Sequence, residues 1–152
     1  MRNIISYIGI LLCAITLPSC AGNPAARNDA GFDKVIGRDW LLEEFRSGTV
    51  TVRIDRTKAD GIDIYSIKFD AEHLSGIGAP NRCFTSYTVG KENTISIGMA
   101  ATTRMSPVFE NEYFREYNYF GYLEKVSRWN LHNGKLELHT SGENGEAVLI
   151  FR

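Results

Sequence analysis

Histidine, cysteine and an excess of charge of either sign are what this sequence has little of. Among 152 residues there are three histidines and three cysteines, and 17 basic side chains stand against 18 acidic ones for a formal net charge of −1. A balance this close to zero excludes the basic face with which proteins hold nucleic-acid phosphates. H-E-x-x-H, G-x-S-x-G and paired C-x-x-C are all missing, which removes the commonest zinc, serine-hydrolase and dithiol sites. No apolar run reaches bilayer length: Ile4 to Leu17 gives a helix of about 21 Å against a hydrocarbon core of about 30 Å. A composition that is 43% hydrophobic and 23% charged is that of a folded chain, and the length supports one domain.

The short apolar run is instead an address. Met1-Arg2-Asn3 is a positive start, and the run ends in Leu17-Pro18-Ser19-Cys20, which resembles the lipobox cut by the lipoprotein signal peptidase. Residues 1–19 then read as a signal peptide and Cys20 as the lipidated first residue of the mature chain. Residues 20–34, rich in Ala, Asn, Gly and Asp and without periodicity, read as a flexible tether. The expected location is the cell envelope, lipid-anchored; in a Gram-negative host Ala21 points to the outer membrane, facing periplasm or surface. Cys13 leaves with the signal and Cys20 carries lipid, so Cys83 is left without a disulfide partner and reads as a buried, inert thiol.

Residues 35–152 carry the domain. Val50, Val52 and Ile54 alternate with polar residues, as do Tyr65, Ile67 and Phe69, and again Ile95, Ile97 and Met99, each the mark of a half-buried strand. Trp40 to Phe45 and Ala147 to Phe151 read as further strands. Asn133-Gly134 between alternating runs predicts a tight hairpin with Trp129 opposite Leu138 and Leu131 opposite Leu136 on one face, and Asn130/Glu137, His132/Lys135 and Arg128/His139 on the other. Ser106-Pro107 predicts the start of one helix reaching to about residue 126, with Phe109, Tyr113, Tyr117, Phe120 and Leu123 as its buried stripe. The expected fold is α+β and mainly β: an antiparallel sheet or barrel carrying one helix.

Trp40-Leu41-Leu42, Phe69, Leu74-Ser75-Gly76, Asn81-Arg82, Tyr87, Thr103-Arg104-Met105 and Glu112-Tyr113-Phe114 occur in an order that resembles the META domain of the heat-shock protein HslJ family. The most specific piece is Met99-Ala100-Ala101-Thr102-Thr103-Arg104-Met105. Pro80 and Pro107 stand where many members have cysteine, so no cysteine chemistry carries over. The resemblance implies a cracked antiparallel β-barrel with one inserted helix, in an envelope protein associated with stress or antibiotic tolerance and without established catalytic residues. The implied fold resembles that of lipid-binding secretin pilot lipoproteins.

Chemistry is sparse. His132 and His139 fall on the polar face of the hairpin, and His73 follows Glu72 in an expected turn with no second histidine at metal-ligand spacing. Gly76-Ile77-Gly78-Ala79-Pro80-Asn81 lacks the third glycine of a dinucleotide loop and reads as a turn between strands. Glu43 and Glu44 are neighbours in a strand and point to opposite faces, the wrong arrangement for a cooperating acid and base. No catalytic residue, metal site or cofactor is expected. Two candidate surfaces remain. One is Asn81, Arg82, Thr103, Arg104 and Met105, which either contact a partner or hydrogen-bond turns at the barrel mouth. The other is Tyr119 and Tyr122, expected to project from the helix as a patch for lipid or protein. The function expected is non-enzymatic binding of an envelope protein or lipid, with the membrane reached through Cys20 and no nucleic-acid partner. The alternative is a module that captures a protein partner, of enzyme-inhibitor or secretion-pilot type.

Overall fold

The computed structural model describes residues 31–58, 63–106, 114–142 and 145–152. Ten strands form one antiparallel sheet: β1 (Asp39–Ser47), β2 (Val50–Arg53), β3 (Ser66–Phe69), β4 (His73–Ile77), β5 (Arg82–Val89), β6 (Ile95–Ile97), β7 (Ala101–Thr102), β8 (Val126–His132), β9 (Lys135–Gly142) and β10 (Gly145–Phe151). Their order is β6-β5-β4-β3-β1-β10-β9-β8, with β2 on β1 and β7 on β5. The two ends of that path are tied by a bridge between Thr94 and Arg128 and by the Trp129 amide, which donates to the Asn93 carbonyl at 2.9 Å. The sheet thus nearly closes into a barrel. The seam is bonded beside β6 but cracked beside β7; α1 (Glu116–Glu124) packs against β9 and β6 and faces β7 across a groove.

The closing hairpin follows its sequence. Trp129 pairs with Leu138 and Leu131 with Leu136, while Arg128, Asn130 and His132 pair with His139, Glu137 and Lys135. Asn133 and Gly134 have φ of 50° and 76°, the two left-handed residues of the turn whose twist matches the strands it joins. In β1 a bulge between Leu42 and Glu44 shifts the inward phase, so Trp40 and Leu42 precede it on the core side and Phe45 follows it there.

The barrel is filled with aromatic rings. At one end Phe32 packs edge-on against Phe69 and Trp129, with centroids 5.2 and 5.0 Å away. Its side chain is fully buried within a 3-10 turn (Phe32–Lys34), so the expected tether gives way to structure before residue 34. At the other end Tyr65, Phe114 and Tyr119 meet at 5.1 to 6.0 Å, and Phe45 stacks on Tyr122 at 4.7 Å. Rings of this size each bury roughly 150–250 Å². The Arg56 guanidinium closes that end by donating to the carbonyls of Ile64 and Leu42 at 2.6 and 2.7 Å.

The helix departs from expectation. It begins at Glu116; residues 107–113, with the expected stripe members Phe109 and Tyr113, lie outside the described residues. The buried face is Glu116, Tyr119 and Leu123, and Tyr117 is 86% exposed. Tyr119 and Tyr122 do not form an outward patch. Tyr119 is fully buried, its phenol within 3.4 Å of the Ser66 carbonyl, and Tyr122 is half-buried against the core. The stripe is rotated because the helix is docked by a carboxylate as well as by apolar packing.

Candidate functional site

That carboxylate organises the motif residues. The chain leaves β4 through Gly78, Ala79 and Pro80, and the turn wraps Glu116 of α1. The amides of Ala79 and Asn81 both donate to Glu116 Oε1, the latter at 2.6 Å, and Asn81 Nδ2 donates to Oε2 at 2.5 Å. Gly78 is required here, because a Cβ on it would lie 2.5 Å from Glu116 Oε1 and 2.8 Å from Phe120 Cζ.

Asn81 is 5% exposed and uses both ends of its amide. Its Oδ1 accepts from the Met105 amide at 2.6 Å and the Thr103 hydroxyl at 2.9 Å, and Nδ2 also donates to the Met105 carbonyl at 3.0 Å. An asparagine side chain offers the same donor and acceptor as a peptide group. Here it acts as one further rung of the ladder. Phe84 pairs with Ala101 and Cys83 with Thr102; then the Thr103 amide donates to the Arg82 carbonyl at 3.1 Å; then Met105 bonds to the Asn81 side chain. The Arg82 amide completes the joint by donating to Thr103 Oγ1 at 3.0 Å. Asn81 and Thr103 are therefore spent on holding the motif segment to β5 and α1.

Arg82, Arg104 and Met105 are different. Their side chains are exposed, and neither guanidinium has an ion-pair partner among the described residues. Arg82 borders an open groove of about 580 Å³ on the outer face of β3, β4, β5 and β7, lined also by Lys68, Ile77, Phe84, Ala101 and Thr103. Phe84 is 51% exposed, with the His73 ring stacked on it at 4.7 Å. A second open groove, of about 440 Å³, runs between β7 and α1, where Thr102, Tyr117, Phe120, Tyr122, Glu124 and Lys125 meet. Glu124 reaches across it to accept from the Ala100 amide at 2.9 Å.

The remaining candidates hold no converging chemistry. The Cys83 thiol is buried, and burial together with the nearby Glu116 carboxylate pushes it up to about 12, so it stays protonated at neutral pH. Burial raises the Tyr119 phenol well above its usual value. His73 opens β4 instead of lying in a turn; His132 touches Asn133; His139 sits between Glu146, at 3.0 Å, and Glu137, at 3.9 Å. Glu43 pairs with Lys135, and Glu44 with Arg46 and Arg53. Among the described residues no group of three or more His, Cys, Asp and Glu could hold a metal ion.

Glu116 is the residue that organises the motif segment and that the sequence pattern did not single out. Its signal was present: Glu116, Tyr119, Phe120 and Leu123 follow helical spacing, which places an acid within an apolar face.

A nearly closed antiparallel barrel cracked along one seam and plugged by a single helix defines a small mixed α+β class, dominated by β structure. The META domain family model matches residues 33–152, and the chain belongs to that family, a non-catalytic one. No curated relative matches it. Two solved structures share the fold. A protein from Burkholderia xenovorans, determined by NMR, is 19% identical with a TM-score of 0.58, covering 94% of this chain and 97% of that one. A DUF4847 family protein from Bacteroides vulgatus, a crystal structure, is 14% identical with a TM-score of 0.52, covering 79% and 94%.

Proposed function

We propose that this chain is a lipoprotein of the cell envelope, anchored through lipid on Cys20, whose META domain is a non-enzymatic binding module serving envelope stress or antibiotic tolerance. In a Gram-negative host it sits at the outer membrane. The positive start, the short apolar run and Leu17-Pro18-Ser19-Cys20 support the anchor. The observation that carries the binding reading is the division of labour in the motif: Asn81 and Thr103 are consumed by structure, while Arg82 and Arg104 are exposed with no ion-pair partner among the described residues, Arg82 beside an open, partly apolar groove. A second observation favours capture of a protein partner over an internal lipid ligand: the rings of Phe45, Tyr65, Phe114, Tyr119 and Tyr122 pack on one another between barrel and helix.

Two measurements test this. Cys20→Ala is expected to move the protein from the membrane to the soluble fraction; unchanged fractionation refutes the anchor. Arg82→Glu with Arg104→Glu is expected to reduce what the protein recovers from envelope extract, and an unchanged recovery profile refutes the surface assignment.

A further inference from the structure

The motif segment is an open sheet edge longer than β7 itself. The Met99 carbonyl accepts from Thr85 Oγ1 at 3.1 Å, Ala101 pairs with Phe84, the Thr103 amide donates to Arg82, and Met105 bonds to Asn81. All the odd-numbered residues from 99 to 105 thus turn their backbone groups towards β5 and its extension. Strand alternation then turns the backbone groups of Ala100, Thr102 and Arg104 the other way, towards the crack in the barrel. The Ala100 amide is covered by Glu124, and β7 has no strand on that second edge among the described residues.

We propose that this edge accepts an added β-strand from a protein partner, an extended segment with acidic side chains alternating with apolar ones; the proposal rests on the reading of the domain as a surface-binding module. A strand laid beside Ala100 to Arg104 pairs with the amide and carbonyl of Thr102 and sends alternate side chains to opposite faces, the mode in which backbone bonds give affinity and flanking pockets give specificity. One face is the groove beside Arg82 and Phe84; the other is the groove floored by Phe120 and Tyr122. The charge around the edge selects the partner. Arg82, Arg104 and Lys125 have no ion-pair partner among the described residues, whereas Glu124 is engaged with the Ala100 amide and Asp39, which lines the Arg82 groove, is paired with Lys68.

The test uses the full chain in detergent micelles and three blocked seven-residue peptides: one alternating Glu and Val, one with Lys for Glu, and one Glu/Val peptide N-methylated on alternate backbone nitrogens. The Glu/Val peptide is expected to bind saturably and shift the Thr102 and Arg104 amide resonances. N-methylation, the Lys peptide, and Arg82→Glu with Arg104→Glu are each expected to weaken binding about tenfold or more. Thr102→Pro, which removes an amide aimed away from β5, is expected to abolish it. Equal binding of the N-methylated or Lys peptide, shifts centred elsewhere, or no saturable binding overturns the proposal. So does concentration-dependent dimerisation that Thr102→Pro abolishes, which assigns the edge to a second copy. Recovery from envelope extract that falls with Arg82→Glu and Arg104→Glu but is unchanged by Thr102→Pro overturns the added strand and leaves the surface-binding reading standing, which separates the two failures.

Discussion

Glutamine at position 116 keeps the shape of the side chain and turns one carboxylate oxygen into an NH2, for which the turn around it has no acceptor. Oε1 takes two amides, so the glutamine oxygen must stay there, and the NH2 then faces Asn81 Nδ2, which in the native protein lies 2.5 Å from Oε2. Asn81 cannot turn over to help, because its own oxygen accepts from Met105 at 2.6 Å and Thr103 at 2.9 Å. One charge-assisted bond is replaced by a donor facing a donor, and two others lose their charged acceptor. Hydrogen bonds to charged groups are worth about 1.5–3 kcal/mol and an unmet buried donor costs about 1–3 kcal/mol, so Glu116→Gln is expected to cost roughly 2–4 kcal/mol. In a domain of this size that lowers Tm by about 10 °C. Thermal denaturation followed by circular dichroism measures it directly. A Tm within about 2 °C of the native protein refutes the argument. A double-mutant cycle with Asn81→Ala is expected to show coupling of about 1–3 kcal/mol, and strictly additive losses would mean the two residues do not act as a unit.

Further expectations follow from the same packing. Gly78→Ala drives a Cβ to 2.5 Å from Glu116 Oε1 and 2.7 Å from its Cγ, so it should lose stability of the same order as Glu116→Gln; a neutral Gly78→Ala would show that the turn has room. Cys83, buried with its thiol pushed up to about 12, should resist alkylation in the native protein at neutral pH and react fully in denaturant; prompt native reaction would place it at the surface. Burial works to raise the Glu44 carboxyl, but hydrogen bonds and charge from Arg46 and Arg53 outweigh it and hold the group below its usual 4.5. The unfolded chain then binds the proton first, so this contribution is present above about pH 4.5 and is lost as pH falls through the lower folded value. Glu44→Gln should therefore show a stability deficit near neutrality that shrinks on acidification, and a deficit independent of pH would exclude the carboxylate as its source.

The sheet was legible wherever alternation is local. Ile67 and Phe69, or Trp129 and Leu131 across from Leu138 and Leu136, declare their faces within a few residues, and Asn133-Gly134 fixes its own turn. The β1 bulge has no such signature, because it is set by how Leu42 and Glu44 meet β10 far along the chain. Helical spacing at residues 109–123 admitted more than one buried face. A stripe through Phe109, Tyr113 and Tyr117 leaves Tyr119 outward, whereas the actual face contains an acid whose partners lie some 35 residues earlier. Asn81 and Thr103 were recognisable as special, but the same polar residues suit a binding surface or a joint. Only the distances to Met105 and Glu116 separate the two.

The position of β10 governs when this domain can exist. The last strand lies between β1 and β9, and Arg152 exchanges backbone bonds with Leu41 at 3.0 Å in both directions. Until residues 145–152 are in place, β1 lacks its neighbour on that edge and the β8-β9 hairpin meets the sheet through the Thr94–Arg128 bridge and the Trp129–Asn93 bond alone among the described residues. Contacts between segments a hundred residues apart are slow to form, since the loop between them must close first. The barrel therefore closes only when β10 enters between β1 and β9, and this one strand decides whether both of their facing edges are paired.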